Sequence, residues 1–222
     1  MAQQYAVIGM GRLGTSIART LASMGHSVLG LDADEHRVDR LTGQLPDEVH
    51  LLHVADATKK EVLLDLGLEQ FDGAVVTLGR HPEAVVLATL ILKELGVPLV
   101  FARARDAVDA RILEKVGADY VVQPEREVGE LVARRIASPG TLDYLELGED
   151  EALVEVTIPQ EWIGKALSDL HLYRKSGLTI LAHKSKGQGG TIPKGDKIFR
   201  EGDVLVVGGS KKALNKFEPW RL

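Results

Sequence analysis

The sequence contains no cysteine. That excludes disulfides, thiolate metal sites and a cysteine nucleophile, and it suits a reducing compartment. Long apolar runs are missing too. The longest, residues 84–92 (AVVLATLIL), falls far short of the about 20 residues that cross a bilayer as a helix. The seven histidines (His26, His36, His50, His53, His81, His171 and His183) include no H-E-x-x-H metal motif. An excess of basic charge is absent: the net charge is −5, which argues against a general nucleic-acid or membrane-surface role. The negative charge sits in residues 1–140, whereas residues 141–222 are balanced. The chain enters an apolar run almost at its start, leaving no room for a signal peptide, so a cytoplasmic protein is expected.

What remains is an ordinary globular composition, 45% hydrophobic and 27% charged over 222 residues. The few aromatics, among them Tyr144, Trp162, Phe217 and Trp220, read as packing or interface groups rather than a ligand cage.

The stretch YAVIGMGRLG near the start organises the rest. A short apolar run ends at Gly9, and Gly9, Gly11 and Gly14 follow at the spacing G-x-G-x-x-G. Leu13, Ile17, Leu21 and Met24 then recur three or four residues apart, on one face of a helix. The first glycine allows a tight turn, the second a close approach to pyrophosphate, and the third close packing of helix on sheet. Phosphate would rest on the unpaired N–H groups at the positive end of the helix dipole. Asp32 ends the next apolar run (SVLGLD), about where an acid that accepts ribose hydroxyls belongs. It would repel a 2′-phosphate, favouring NAD or an adenine mononucleotide over NADP.

Apolar runs at residues 27–32, 49–54, 72–78, 98–102 and 120–123 read as further strands. Between them, residues 34–42, 58–66, 82–95, 106–116 and 125–137 read as helices. Six strands alternating with helices predict a Rossmann-like α/β fold, a doubly wound parallel sheet with strand order 3-2-1-4-5-6. Ser138-Pro139-Gly140 breaks the rhythm. The expected domains are therefore 1–137 and 138–222, the second a small C-terminal α+β subdomain. In it, strands are expected at 142–147, 153–158, 178–183 and 204–207, helices at 163–173 and 210–217, and a Gly-rich hairpin loop at 186–190. A module this small holds a limited core unless it dimerises.

Ligands of doubly wound sheets bind beyond the carboxyl ends of the strands. Those ends carry Gly9–Gly14, Asp32, Asp56, Leu78-Gly79-Arg80, Arg103 and Glu125. Arg12 stands in the first turn of a helix, where the dipole disfavours a cation unless phosphate oxygens meet it; a solvated arginine is the plain alternative. Asp56 and Ala57 fall where an adenine should rest, although Asp56 reads equally as a helix cap. Arg103 and Arg105 share a strand face, one free to bind phosphate and the other to pair with Asp106 or Asp109. Glu125 is an acid in a phosphate neighbourhood. Either a divalent cation shared with phosphate reconciles it, or it compensates the N-terminus of the last helix. His81 lies beside the crevice and reads as a surface residue.

Together YAVIGMGRLG, Asp32, the Ala55-Asp56-Ala57-Thr58 turn, ILKELGVP, ARARD and LEKVGADYVVQPE resemble the RCK domain (regulator of conductance of potassium). The likeness is to a cytosolic regulatory subunit of a Ktr/Trk-type bacterial potassium-uptake system, and it spans essentially the whole chain. It implies binding of ATP or ADP and of NAD or NADH, and no catalysis. It also implies a homodimer that assembles into an octameric ring, docked on a separate membrane potassium-translocating subunit and so peripheral to the inner membrane face. By the same resemblance Gly9, Gly11 and Gly14 shape the phosphate loop, Asp32 takes the ribose, Asp56 and Ala57 flank the adenine, and Arg103 neighbours the phosphates. Arg12 corresponds to an arginine that reaches the γ-phosphate, and Glu125 to an acid that holds a divalent cation, magnesium or calcium. Met10, Leu13, Ala33, Asp34, Arg37, Leu78 and Gly79 complete the expected nucleotide-binding set. Some relatives bind cyclic di-AMP in the C-terminal subdomain through an arginine. Here Tyr173 stands in its place with Arg174 beside it, which argues against that ligand.

Two other readings compete. An NAD-dependent oxidoreductase would need an acid–base pair near the crevice, for which His171 or His183 would have to fold over the nicotinamide. A redox-sensing DNA-binding repressor would need a recognition helix, and none is visible.

Overall fold

The computed structural model describes residues 2–46, 49, 51–79, 81–137, 141–185 and 189–217. The 138–140 break, Arg80, His50, Trp220 and most of the 186–190 loop lie outside the described residues. The chain forms two compact units, Met1–Glu125 and Arg126–Leu222.

In the first unit, β1 (Gln4–Ile8), β2 (Ser27–Asp32), β3 (Leu51–Val54), β4 (Gly73–Val76), β5 (Val100–Arg103) and β6 (Tyr120–Val122) form one parallel sheet. Its order is β3-β2-β1-β4-β5-β6, as the sequence pattern predicts. The register aligns Ile8 with both Leu31 and Val76, so three carboxyl ends open side by side where the strand order reverses.

The helices of this unit are α1 (Arg12–Ser23), α2 (Glu35–Leu41), α3 (Lys60–Asp65), α4 (Pro82–Glu94) and α5 (Ala107–Val116); α6 (Pro124–Ala137) begins at its end, and its residues from Arg126 on belong to the second unit. Period-2 side chains divide β1 between two cores. Val7 packs with Ala18 and Ala22 of α1 and Leu41 of α2, whereas Ala6 and Ile8 pack with Leu63 of α3, Leu92 of α4 and Leu113 of α5. The two layers of helix thus cover opposite faces, as right-handed crossovers require.

In the second unit, β7 (Thr141–Glu146), β8 (Glu151–Thr157), β9 (Thr179–Lys184) and β10 (Val204–Ser210) form an antiparallel sheet of order β7-β8-β10-β9. Trp162, Leu178, Phe199 and Leu205 fill its core. Trp162 stacks edge-on against Phe217 with ring centroids 5.7 Å apart.

The helix expected over 163–173 is instead two short ones, α7 (Leu167–Leu170) and α8 (Leu172–Ser176), after a 3-10 turn at Gln160–Trp162. His171 separates them at φ 47°, and Ala166 is drawn into a bridge with Ile198, so tertiary pairing overrides the local pattern. A last helix, α9 (Lys211–Lys216), follows β10. Among the described residues no helix is long and apolar enough to cross a membrane.

Candidate functional site

A groove of about 1240 Å³ opens at the carboxyl ends of β1, β2 and β4, and among the described residues its lining comes from the first unit. Its floor is the glycine loop. Gly9 takes φ 96°, a conformation open to glycine at little cost. A Cβ on Gly14 would lie 2.0 Å from the Gly9 carbonyl oxygen, so only glycine lets α1 seat this closely. A Cβ on Gly11 would meet nothing within 4 Å; its space is the groove itself. Gly11 caps α1 without a side-chain hydrogen bond, and no acid occupies the first turn, so this helix end is presented to a ligand. Thr77, just beyond β4, locks the turn by donating its hydroxyl to Gly9 O at 2.7 Å.

At the β2 end, Asp32 is 4% exposed. Its Oδ2 accepts from Met10 N at 2.7 Å and its Oδ1 from Asp34 N at 3.0 Å. Arg37 Nη1 donates to both oxygens, at 2.8 and 2.7 Å, and Arg37 Nη2 meets Asp34 Oδ2 at 3.1 Å. The hydrogen bond to Asp32 raises the Arg37 pKa above its usual value. Ala33, Asp34 and Arg40 continue this wall.

Across the groove, Leu78 and Gly79 form the edge beyond β4, and Arg103 extends from the end of β5 to Glu125. Gly79 leaves the room: a Cβ there would stand 2.6 Å from Arg103 Nη1. Among the described residues the Arg103 Nε is buried without a hydrogen-bond partner. The Glu125 carboxyl is held below its usual range, first by its own backbone N–H in the opening turn of α6, then by Arg103 and the charge of Arg12. Burial opposes these. Arg12, Arg103 and Glu125 therefore share one corner of the groove.

Two expected residues stand apart. Neither Asp56 nor Ala57 lines the groove. Asp56 Oδ1 accepts from the Thr58 hydroxyl at 2.6 Å and the Thr58 N–H at 3.0 Å, which lower its pKa, while Ala57 is buried in the core. Arg105 pairs with Asp109 at 2.7 Å, lowering that carboxyl's pKa, and Asp106 caps α5. Sequence reasoning did not single out Thr15, Ser16, Arg40, Leu41, Thr77 or Pro124, which all line the groove. His81 also lines it, with Nδ1 3.1 Å from Glu83. Among the described residues no group of three or more His, Cys, Asp and Glu side chains gathers as a metal site.

A doubly wound sheet with an open glycine loop at its switch point defines a Rossmann-type protein. The TrkA-N domain matches residues 5–124 and the TrkA-C domain residues 152–221. The chain is 36% identical over 216 residues to the Ktr system potassium uptake protein A of Bacillus subtilis (strain 168), covering 97% of this chain and 96% of that one. It is 37% identical over 218 residues to the Ktr system potassium uptake protein C of the same organism, covering 98% and 97%. The chain belongs to the RCK family, with the regulatory subunits of Ktr/Trk potassium-uptake systems. The GsuK channel superposes at TM-score 0.72 with 19% identity, covering 100% of this chain and 40% of that one. The GsuK channel bound to NAD does so at 0.69 with 18% identity, covering 99% and 39%. The present chain thus spans about 40% of those channel chains.

Proposed function

We propose that this protein is a nucleotide-sensing regulatory subunit that binds ATP or ADP, and NAD or NADH, and gates potassium uptake through a separate membrane subunit. The observation that carries this is the groove over the bare N-terminus of α1, lined by Arg12 and Arg103 and by the fixed carboxylate of Asp32. The relatives named for potassium uptake support the partner, and the GsuK channel bound to NAD supports the ligand class. In this reading Gly9–Gly14 cradles the phosphates, Asp32 receives the ribose, and Arg103 neighbours the phosphates, with Leu78 and Gly79 on the opposite edge. Asp56 and Ala57 flank the adenine only after some movement of the 55–58 turn. The nucleotide-binding domain is taken as 1–137, with α6 as its last element along the chain, and the subdomain as 138–222.

The nucleotide acts as an effector and is not turned over. An effector shifts an equilibrium only by as much as its affinity differs between the two states. ATP and ADP differ in the γ-phosphate, and Arg12 is the cation placed to sense it. A magnesium or calcium ion on Glu125 fits only if phosphate or a second copy completes its shell, because Glu125 offers a single carboxylate already paired with Arg103. The working form is a homodimer assembled into an octameric ring, cytoplasmic and docked at the inner membrane face.

Calorimetric titration with ATP and ADP tests this directly, with oligomer size followed by light scattering. Arg12→Ala should weaken ATP about tenfold, as expected for one lost charge-assisted contact, and ADP much less. Equal losses for both nucleotides would overturn the assignment of Arg12.

A further inference from the structure

We infer that Arg37 is a displaceable stand-in for the ribose, occupying the acceptor face of Asp32 until a nucleotide exchanges for it. This rests on the nucleotide-binding reading of the groove and deepens it.

A carboxylate offers about four acceptor positions. On Asp32 two are taken by backbone donors, Met10 N at 2.7 Å and Asp34 N at 3.0 Å. These bonds fix the carboxylate plane whether or not a ligand is present. The outward positions of both oxygens are bridged by one nitrogen, Arg37 Nη1, at 2.8 and 2.7 Å. A ribose whose phosphates lie on the glycine loop must donate its hydroxyls to these same two positions. Nothing on Asp32 is left for it, so ribose and guanidinium are alternatives.

Arg37 has a way out. Its side chain is 32% exposed, against 5% for Asp32, and its other nitrogen already contacts Asp34, whose side chain is 45% exposed. Released from Asp32, the guanidinium keeps Asp34 as a partner at the groove rim. A neutral residue at position 37 would leave Asp32 held by its two backbone donors and open to ligand.

Binding is then weakened by the fraction of molecules in which the pair is closed, since the apparent dissociation constant is the intrinsic one divided by the competent fraction. The cost falls on the ribose end and is the same for every nucleotide with an intact ribose. It is therefore separable from the phosphate contacts of Arg12.

Titration of the full-length protein with ATP, ADP and 2′-deoxy-ATP tests the exchange, using Arg37→Gln and Arg37→Ala. Both variants should bind ATP and ADP more tightly by a similar factor, about tenfold for a pair closed roughly nine-tenths of the time. The preference for ATP over 2′-deoxy-ATP should widen, because the 2′-hydroxyl no longer competes with a cation. Weaker ATP binding, or an unchanged preference, would overturn the exchange while leaving the groove's function intact. Failure of the unmodified protein to bind any of the three would overturn both. A measurement on the unmodified chain guards against misfolding of the variants. Adenosine carries no phosphate, so its binding reads the ribose end alone and should release the Arg37 guanidinium from Asp32, seen as a shift of the Arg37 side-chain nitrogen NMR resonances on titration. Arg37 resonances that stay unmoved at saturation would contradict the exchange.

Discussion

Gly11 and Gly14 lie three residues apart in one loop and do different things. Gly14 is a packing residue, because a methyl group there would collide with the Gly9 carbonyl and approach the Thr77 hydroxyl to 2.9 Å. Gly14→Ala should cost about 1–3 kcal/mol of stability, the range for overpacking, and should abolish nucleotide binding with it. Gly11 borders only the groove. Gly11→Ala should leave stability within about 0.5 kcal/mol while weakening ATP and ADP alike, because its methyl stands where the phosphates approach. Urea denaturation and calorimetry on the pair separate the two roles. Loss of stability in Gly11→Ala would show that the loop needs this glycine for its own conformation.

At the scale of elements, the edge of the parallel sheet is tied by one carboxylate. Asp119, just before β6, accepts from Val100 N of β5 at 2.7 Å and from Lys93 Nζ of α4 at 2.9 Å. Burial pushes its pKa up, but the Lys93 ammonium and the Val100 N–H outweigh this and hold it below the usual value. Tyr120 beside it stacks on Phe101 at a centroid distance of 4.7 Å. Asp119→Ala should cost about 1–3 kcal/mol through the unpaired Val100 N–H, towards the lower end because the carboxylate is 33% exposed. The folded pKa lies below the unfolded one, so this stabilisation is present above the unfolded pKa and is lost as pH falls through the folded one. The deficit of the variant should therefore shrink below about pH 4. Denaturation curves at neutral pH and near pH 3 check it; a deficit independent of pH would mean that packing, not the charged carboxylate, holds this edge.

For the molecule as a whole, every described residue lining the groove belongs to the unit Met1–Glu125. Nucleotide at about 100 times its dissociation constant should stabilise whatever unfolds with that unit by about 2.7 kcal/mol. Native-state hydrogen exchange with and without ATP reads where this appears. Added protection across β1–β6, and none across β7–β10, is expected if the two units open independently. Equal protection in both would show that they unfold as one.

The order of the six parallel strands was legible because it rests on local signals, namely apolar runs of strand length, glycine and proline punctuation, and a helical pattern after each strand. The loop, Asp32, Arg12, Arg103 and Glu125 were legible for the same reason, each standing at a strand end or helix start. Other features carried no such mark. Thr77 reads as an ordinary threonine, and only the pairing of β1 with β4 brings its hydroxyl to Gly9 O. The break at His171 follows from the pairing of Ala166 with Ile198, which no helical period announces. Arg37 and Arg103 could be placed on their elements, but not on their partners, since a long side chain chooses among carboxylates by distance in space. The sequence alone determined the sheet, the glycine loop and the charges around it, because backbone conformation and burial periodicity are local. The tertiary structure decided which charges meet, Arg37 with Asp32 and Arg103 with Glu125, because pairing depends on distance in space and not on order along the chain.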